Sequence, residues 1–242
     1  MIRSAKSMLG YRLAASDGTV GHVRDFYFDE QSGEIRHLLV DLGWHLPGRK
    51  VLIDPPLLGS PDWVHRTIPT VMTREAVRHS PKPGTDKPVF RQLQEQMRNF
   101  YEWAPHWTPL SGEPEPQPEL SLSGDARLRS VHHLTGYKVE TNAGPIGHIA
   151  DFVIDCGKWR IALCVLDPDR AILSHQCSFP LGQIELFDWE NRRLRVGFEN
   201  WALTDCPEHR LVDLDDPSYE QRVREYYTRC TEPAYISTHK DR

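Results

Sequence analysis

"GYRLAASDGTVGHVRDFYFDEQSGEI" (residues 10–35) returns as "GYKVETNAGPIGHIADFVIDCGKWRI" at residues 136–161. The offset from Gly10 to Gly136 is 126 positions, and it does not slip. At it Gly10, Tyr11, Gly21, His22, Asp25, Phe26, Asp29, Ile35 and Asp41 fall on Gly136, Tyr137, Gly147, His148, Asp151, Phe152, Asp155, Ile161 and Asp167. Ala76 and Pro81 still fall on Ala202 and Pro207, and Phe100-Tyr101 on Tyr226-Tyr227. One register held over so long a span is the signature of a duplicated unit.

Each copy reads as β structure. "TVGHVRDFYFD" and "EIRHLLVDL" are rich in β-branched and aromatic residues and flank "EQSG", which predicts a hairpin. "RKVLIDP" and "WVHRTIPTVM" supply further short strands, punctuated by Gly43, Pro47, Gly48, Pro55, Gly59 and Pro61. Closely spaced short strands with such turns predict a small barrel or sandwich. "TREAVRHSP" predicts a short helix capped by Thr73 and ended by Pro81.

A helix follows each copy. Val89, Leu93, Met97, Phe100 and Tyr101 form one apolar stripe, and Tyr219, Val223, Tyr226 and Tyr227 form the second. The expected organisation is a first barrel at 1–82, its helix at 83–103 and a Pro-rich linker at 104–126. A second barrel at 127–209, its helix at 210–230 and a tail at 231–242 complete it. The fold class is thus mainly β with short α: two tandem small barrels, each followed by an amphipathic helix.

Bulk properties narrow the function classes. With 242 residues there is room for two cores of ordinary size. The net charge of −5 argues against a general nucleic-acid binder. No apolar run approaches the roughly 18–20 residues that span a bilayer, and the N-terminus lacks a secretory apolar core, so a cytoplasmic location is expected. All five cysteines lie in the second copy with no CxxC pair, and Cys164 and Cys177 stand where copy one has Leu38 and Val51. That is the pattern of buried free thiols, not of a metal or disulfide framework.

The recurring polar residues suggest chemistry without completing it. "GTVGHV" and "GPIGHI" resemble pieces of a phosphate loop but lack its Lys-Ser/Thr ending and open no helix. Asp25 and Asp151 are unusual in strands, yet no second carboxylate or base accompanies them at catalytic spacing. His22 and His148 have no HxH or HxxxH companion and are expected on a solvent face. Hence no catalytic residue, cofactor or metal is expected, and no enzyme. Candidate partner contacts are Trp44, Arg49 and Lys50 on the "GWHLPGRK" turn, with Tyr101, Trp103 and Trp107 beyond the first helix. Copy two has Arg170 and Ser174 where copy one has Trp44 and Gly48.

The pattern "GxxGxVxDFxFDxxxGxIRHLLVDxGWxxPGRKVLI" resembles the PRC-barrel. This is the small β-barrel of the cytoplasmic domain of the photosynthetic reaction centre H subunit and of a ribosome-maturation factor. The resemblance is strong over residues 7–81 and looser over 130–207, and the "PVFRQLQEQMRNFYEWAPHW" appendix is similar to a bacterial tandem group related to the H subunit. It implies a protein-binding scaffold, self-associating or engaging another protein, without that subunit's membrane anchor. Peripheral contact with a membrane complex is compatible with it. Two further roles follow by the same analogy: an RNA-associated ribosome-assembly factor, with Arg49, Lys50, Lys82 and Lys87 as its basic surface, and an accessory subunit of a reaction centre or electron-transfer complex.

Overall fold

A computed structural model describes residues 1–43, 48–81, 127–188 and 190–230. The helix expected at 83–103, the linker at 104–126 and the tail at 231–242 lie outside the described residues. The chain is mainly β with few helices. In copy one the strands are β1 (Ile2–Ser4), β2 (Arg12–Ala15), β3 (Gly18–Asp29), β4 (Ile35–Asp41), β5 (Lys50–Ile53) and β6 (Thr67–Pro69), with helices α1 (Ala5–Met8) and α2 (Arg74–His79). In copy two they are β7 (Leu128–Ser130), β8 (Lys138–Thr141), β9 (Gly144–Asp155), β10 (Arg160–Pro168), β11 (Cys177–Pro180), β12 (Ile184–Asp188) and β13 (Arg193–Val196). Helices α3 (Val131–Leu134) and α4 (Tyr219–Cys230) belong to the same copy.

The chain divides into two compact units that are not contiguous stretches. The first-copy unit comprises Gly10–Glu30 and Arg36–Leu128; the second-copy unit comprises Met1–Leu9, Gln31–Ile35 and Arg129–Arg242. The N-terminal segment therefore belongs with the second copy, and not with the stretch that follows it.

The sheet of the first copy runs β5-β4-β3-β2-β6. Its long strand β3 buries Val20, Val23, Phe26 and Phe28 and exposes His22 and Arg24. The β2–β3 register shifts between Arg12 and Ala14, a bulge that resets the alternation near Gly21. Strand β6 is shorter than the expected "WVHRTIPTVM" strand. Asp62 and Thr67 exchange backbone hydrogen bonds of 2.8 and 3.0 Å, and Asp62 Oδ1 accepts from His65 N–H at 2.9 Å, so residues 62–67 close a turn instead. Thr73 caps α2 by accepting from Ala76 N–H at 3.2 Å.

The sheet of the second copy runs β11-β10-β9-β8-β13-β12 and curls into a half-barrel. Strand β8 pairs with one end of β9, at Gly144–His148, and β1 pairs with the other, at Val153–Asp155. Helix α4 turns Tyr219, Val223, Tyr226, Tyr227 and Cys230 inward. Tyr227 meets Phe198 at 4.9 Å and Phe179 at 6.5 Å between ring centroids, so one aromatic cluster closes this core. All five cysteines are buried free thiols.

Candidate interaction site

Asp151 is the most unusual side chain of the second-copy unit, a carboxylate buried in the middle of β9. It is not unpartnered. Ser4 Oγ donates to its Oδ2 at 2.5 Å, and its Oδ1 accepts the backbone N–H groups of Lys6 at 3.1 Å and Phe152 at 2.7 Å. Ser4 is at the same time the cap of α1, accepting from Ser7 N–H at 3.1 Å. One carboxylate thus fixes the point where the N-terminal strand turns into its single helical turn.

The rest of the segment is read position by position. Ile2, Ala5 and Met8 are buried, Arg3 forms an ion pair with Asp215, and Met8 Sδ lies 3.8 Å from Cys156 Sγ. Met1's carbonyl accepts from Cys156 N–H at 3.0 Å, extending the β1–β9 ladder by one bond. Together β9, Asp151, Cys156 and Asp215 hold the chain's own first residues as an added strand with a polar anchor.

Burial raises the pKa of Asp151 from 3.8, opposed by the hydrogen bonds from Ser4, Phe152 and Lys6. A carboxyl whose folded pKa is raised contributes stability that is full below pH 3.8 and lost as pH rises through the folded value. The stability advantage of wild type over Asp151→Asn is therefore expected to be greatest at acid pH and to shrink as pH rises above 3.8. Urea unfolding across that window checks it, and an advantage that grows with pH would contradict it.

Single features of this pattern recur at the repeat offset of 126. Asp25 is buried and accepts from Phe26 N–H at 2.8 Å, and Glu30 N–H donates to the Arg127 carbonyl at 2.9 Å as Cys156 does to Met1. Ser130 caps α3 by accepting from His133 N–H at 2.9 Å. The motif was present in the sequence, because Ile2-Arg3-Ser4 falls on Leu128-Arg129-Ser130 at the same offset of the repeat. A three-residue strand has no measurable period, so it gave no strand signal.

Gly21 and Gly147 mark a close approach of strands. A Cβ on Gly147 would stand 2.3 Å from the Asp167 carbonyl oxygen, and one on Gly21 2.6 Å from that of Asp41. His22 and His148 are exposed, and His148 Nε2 lies 3.5 Å from Asp167 Oδ2.

A hydroxyl–imidazole pair also escaped the sequence reading. Ser178 Oγ lies 2.9 Å from His209 Nδ1, and the Tyr219 hydroxyl lies 3.2 Å from Ser178 Oγ and 3.0 Å from the Glu208 carbonyl. Burial lowers the His209 pKa, opposed by Asp213, and pushes that of Tyr219 up to about 12. Ser178 is wholly inaccessible, so the geometry ties α4 to β11 and presents no nucleophile to a substrate. Among the described residues no group of three or more His, Cys, Asp or Glu is placed to hold a metal ion, and no helix is long and apolar enough to cross a membrane.

Of the expected partner contacts, Trp44, Tyr101, Trp103 and Trp107 lie outside the described residues. Lys50 opens β5 in an exposed position opposite Asp41. Arg49 is half-buried, its carbonyl accepts from Leu42 N–H at 2.9 Å, and its buried Nε has no partner among the described residues. Asp41 Oδ1 accepts from Gly43 N–H at 2.8 Å, and Arg24 Nε lies 3.3 Å from Asp41 Oδ2. No curated protein matches the chain. A PRC-barrel domain is found at residues 4–59, a match that begins at Ser4, the cap held by Asp151.

Proposed function

We propose that this chain is a non-catalytic protein-binding scaffold of the PRC-barrel kind. In this reading it is built as two tandem barrels with appended helices, akin to the cytoplasmic domain of the reaction centre H subunit, and it works by self-association or by capture of a protein partner. The observation that carries the reading is the use made of Asp151. The recurring acid best suited to chemistry is committed to Ser4, Lys6 and Phe152 of its own chain. The PRC-barrel domain at residues 4–59 supports the same class of function. A net charge of −5 weighs against the RNA-associated alternative.

The contact surface in this reading is the copy-one turn bearing Trp44, with Arg49 and Lys50 behind it. Trp and Arg are typical anchors of protein contacts, and copy two builds its fold without the pair. Trp44→Ala is expected to change stability by no more than about 0.5 kcal/mol. It should weaken self-association or partner capture by about thirtyfold, a loss typical of an interface anchor. Sedimentation velocity beside thermal melting checks both. A loss of roughly 3–5 kcal/mol of stability, as for a buried aromatic, with association intact in the folded fraction, would assign Trp44 to its own barrel.

A further inference from the structure

We infer that the place on the second-copy unit holding Met1–Leu9 is an exchange site, and that it takes the same segment from a second copy of this chain. The inference rests on the self-association part of the reading above. The site reads a defined pattern: Ile2, Ala5 and Met8 by burial, Arg3 by Asp215, and Ser4 by Asp151. That pattern is written in this chain, so a second copy is a partner that satisfies every position.

The connection also suits exchange. The chain leaves the segment at Leu9 and enters the first-copy unit at Gly10. Gly10 has a φ of +80°, a setting that glycine adopts readily, and its N–H donates to the Val23 carbonyl at 2.8 Å, so the joint is anchored to the first-copy unit at that point. A segment supplied by another copy makes the contacts made by the chain's own. The difference is lost effective concentration, in the millimolar range for a short connection. Exchange between chains is therefore a low-cost route to a dimer, favoured as protein concentration rises.

Cys156 reports occupancy, because Met8 covers its sulfur at 3.8 Å, while Cys164 in β10 is fully buried and reports folding. In full-length Met8→Asp, alkylation of Cys156 read by mass spectrometry is expected to be about tenfold faster than in wild type, as expected for a locally opened site, with Cys164 still protected. Adding isotopically heavy wild-type chain, or a peptide of residues 1–9, should restore protection of Cys156. If Cys164 also reacts, the milder Ser4→Ala chain replaces Met8→Asp, and incorporation of a fluorescent peptide of residues 1–9 is read instead.

Protection by heavy wild-type chain, or in the fallback peptide incorporation that excess wild-type chain competes away, supports exchange. No protection with Cys164 intact, no incorporation of peptide into Ser4→Ala, or peptide binding that wild-type chain cannot compete for, overturns it. If Met8→Asp self-associates as strongly as wild type while Trp44→Ala does not, association runs through the copy-one turn. The proposed function then stands and the exchange site fails.

Discussion

Gly147→Ala is expected to destabilise the second-copy unit by about 3–5 kcal/mol, the sum of overpacking and a backbone setting that L-residues rarely adopt. The added Cβ would meet backbone, 2.3 Å from the Asp167 oxygen and 2.6 Å from Pro168 Cα, at a φ of +149°. Neither atom belongs to a flexible side chain, so relief requires β9 and β10 to part where Gly147 pairs with Pro168. Unfolding by heat should show a transition lowered on the order of 15 °C. Gly182→Ala, where the added Cβ meets nothing within 4 Å, should stay within about 0.5 kcal/mol of wild type. Equal melting of the two variants would remove the close approach as the reason that Gly recurs at 21 and 147.

The second large effect belongs to Asp151. Asp151→Ala strips the acceptor from Ser4 Oγ, Lys6 N–H and Phe152 N–H at once. Leaving buried donors unsatisfied costs about 1–3 kcal/mol each, and the segment can relieve part of this by leaving its site. A net loss of about 2–4 kcal/mol is therefore expected in urea unfolding, with faster alkylation of Cys156 as Met8 is released. Unchanged stability would mean that the carboxylate holds nothing in place.

What could be read from the sequence follows how local each signal is. The β3–β4 hairpin was legible because Val20, Val23, Phe26 and Phe28 on one strand and Leu38 and Val40 on the next mark a buried face across a turn. The inward stripe of α4 was legible from the helical spacing of Tyr219, Val223, Tyr226 and Tyr227. Burial of Cys164 and Cys177 followed from their aliphatic counterparts in copy one. By contrast, Asp151 stood out as a misfit in a strand, but its partner Ser4 is 147 positions away and no spacing rule connects them. The Ser178–His209 contact across 31 positions was hidden for the same reason. That β1 adds to β9 was hidden too, because a short strand carries no information about which edge it joins.

Asp151 holds the chain's own N-terminal segment through Ser4 and Lys6. A double-mutant cycle with Ser4→Ala, Asp151→Ala and the double variant, read by urea unfolding at neutral pH, measures that hold. A buried hydroxyl–carboxylate pair is expected to couple by about 1–3 kcal/mol, with each single variant opening Cys156 to alkylation. Additive effects with no coupling, and Cys156 protected throughout, would contradict it and return Asp151 to the search for another role.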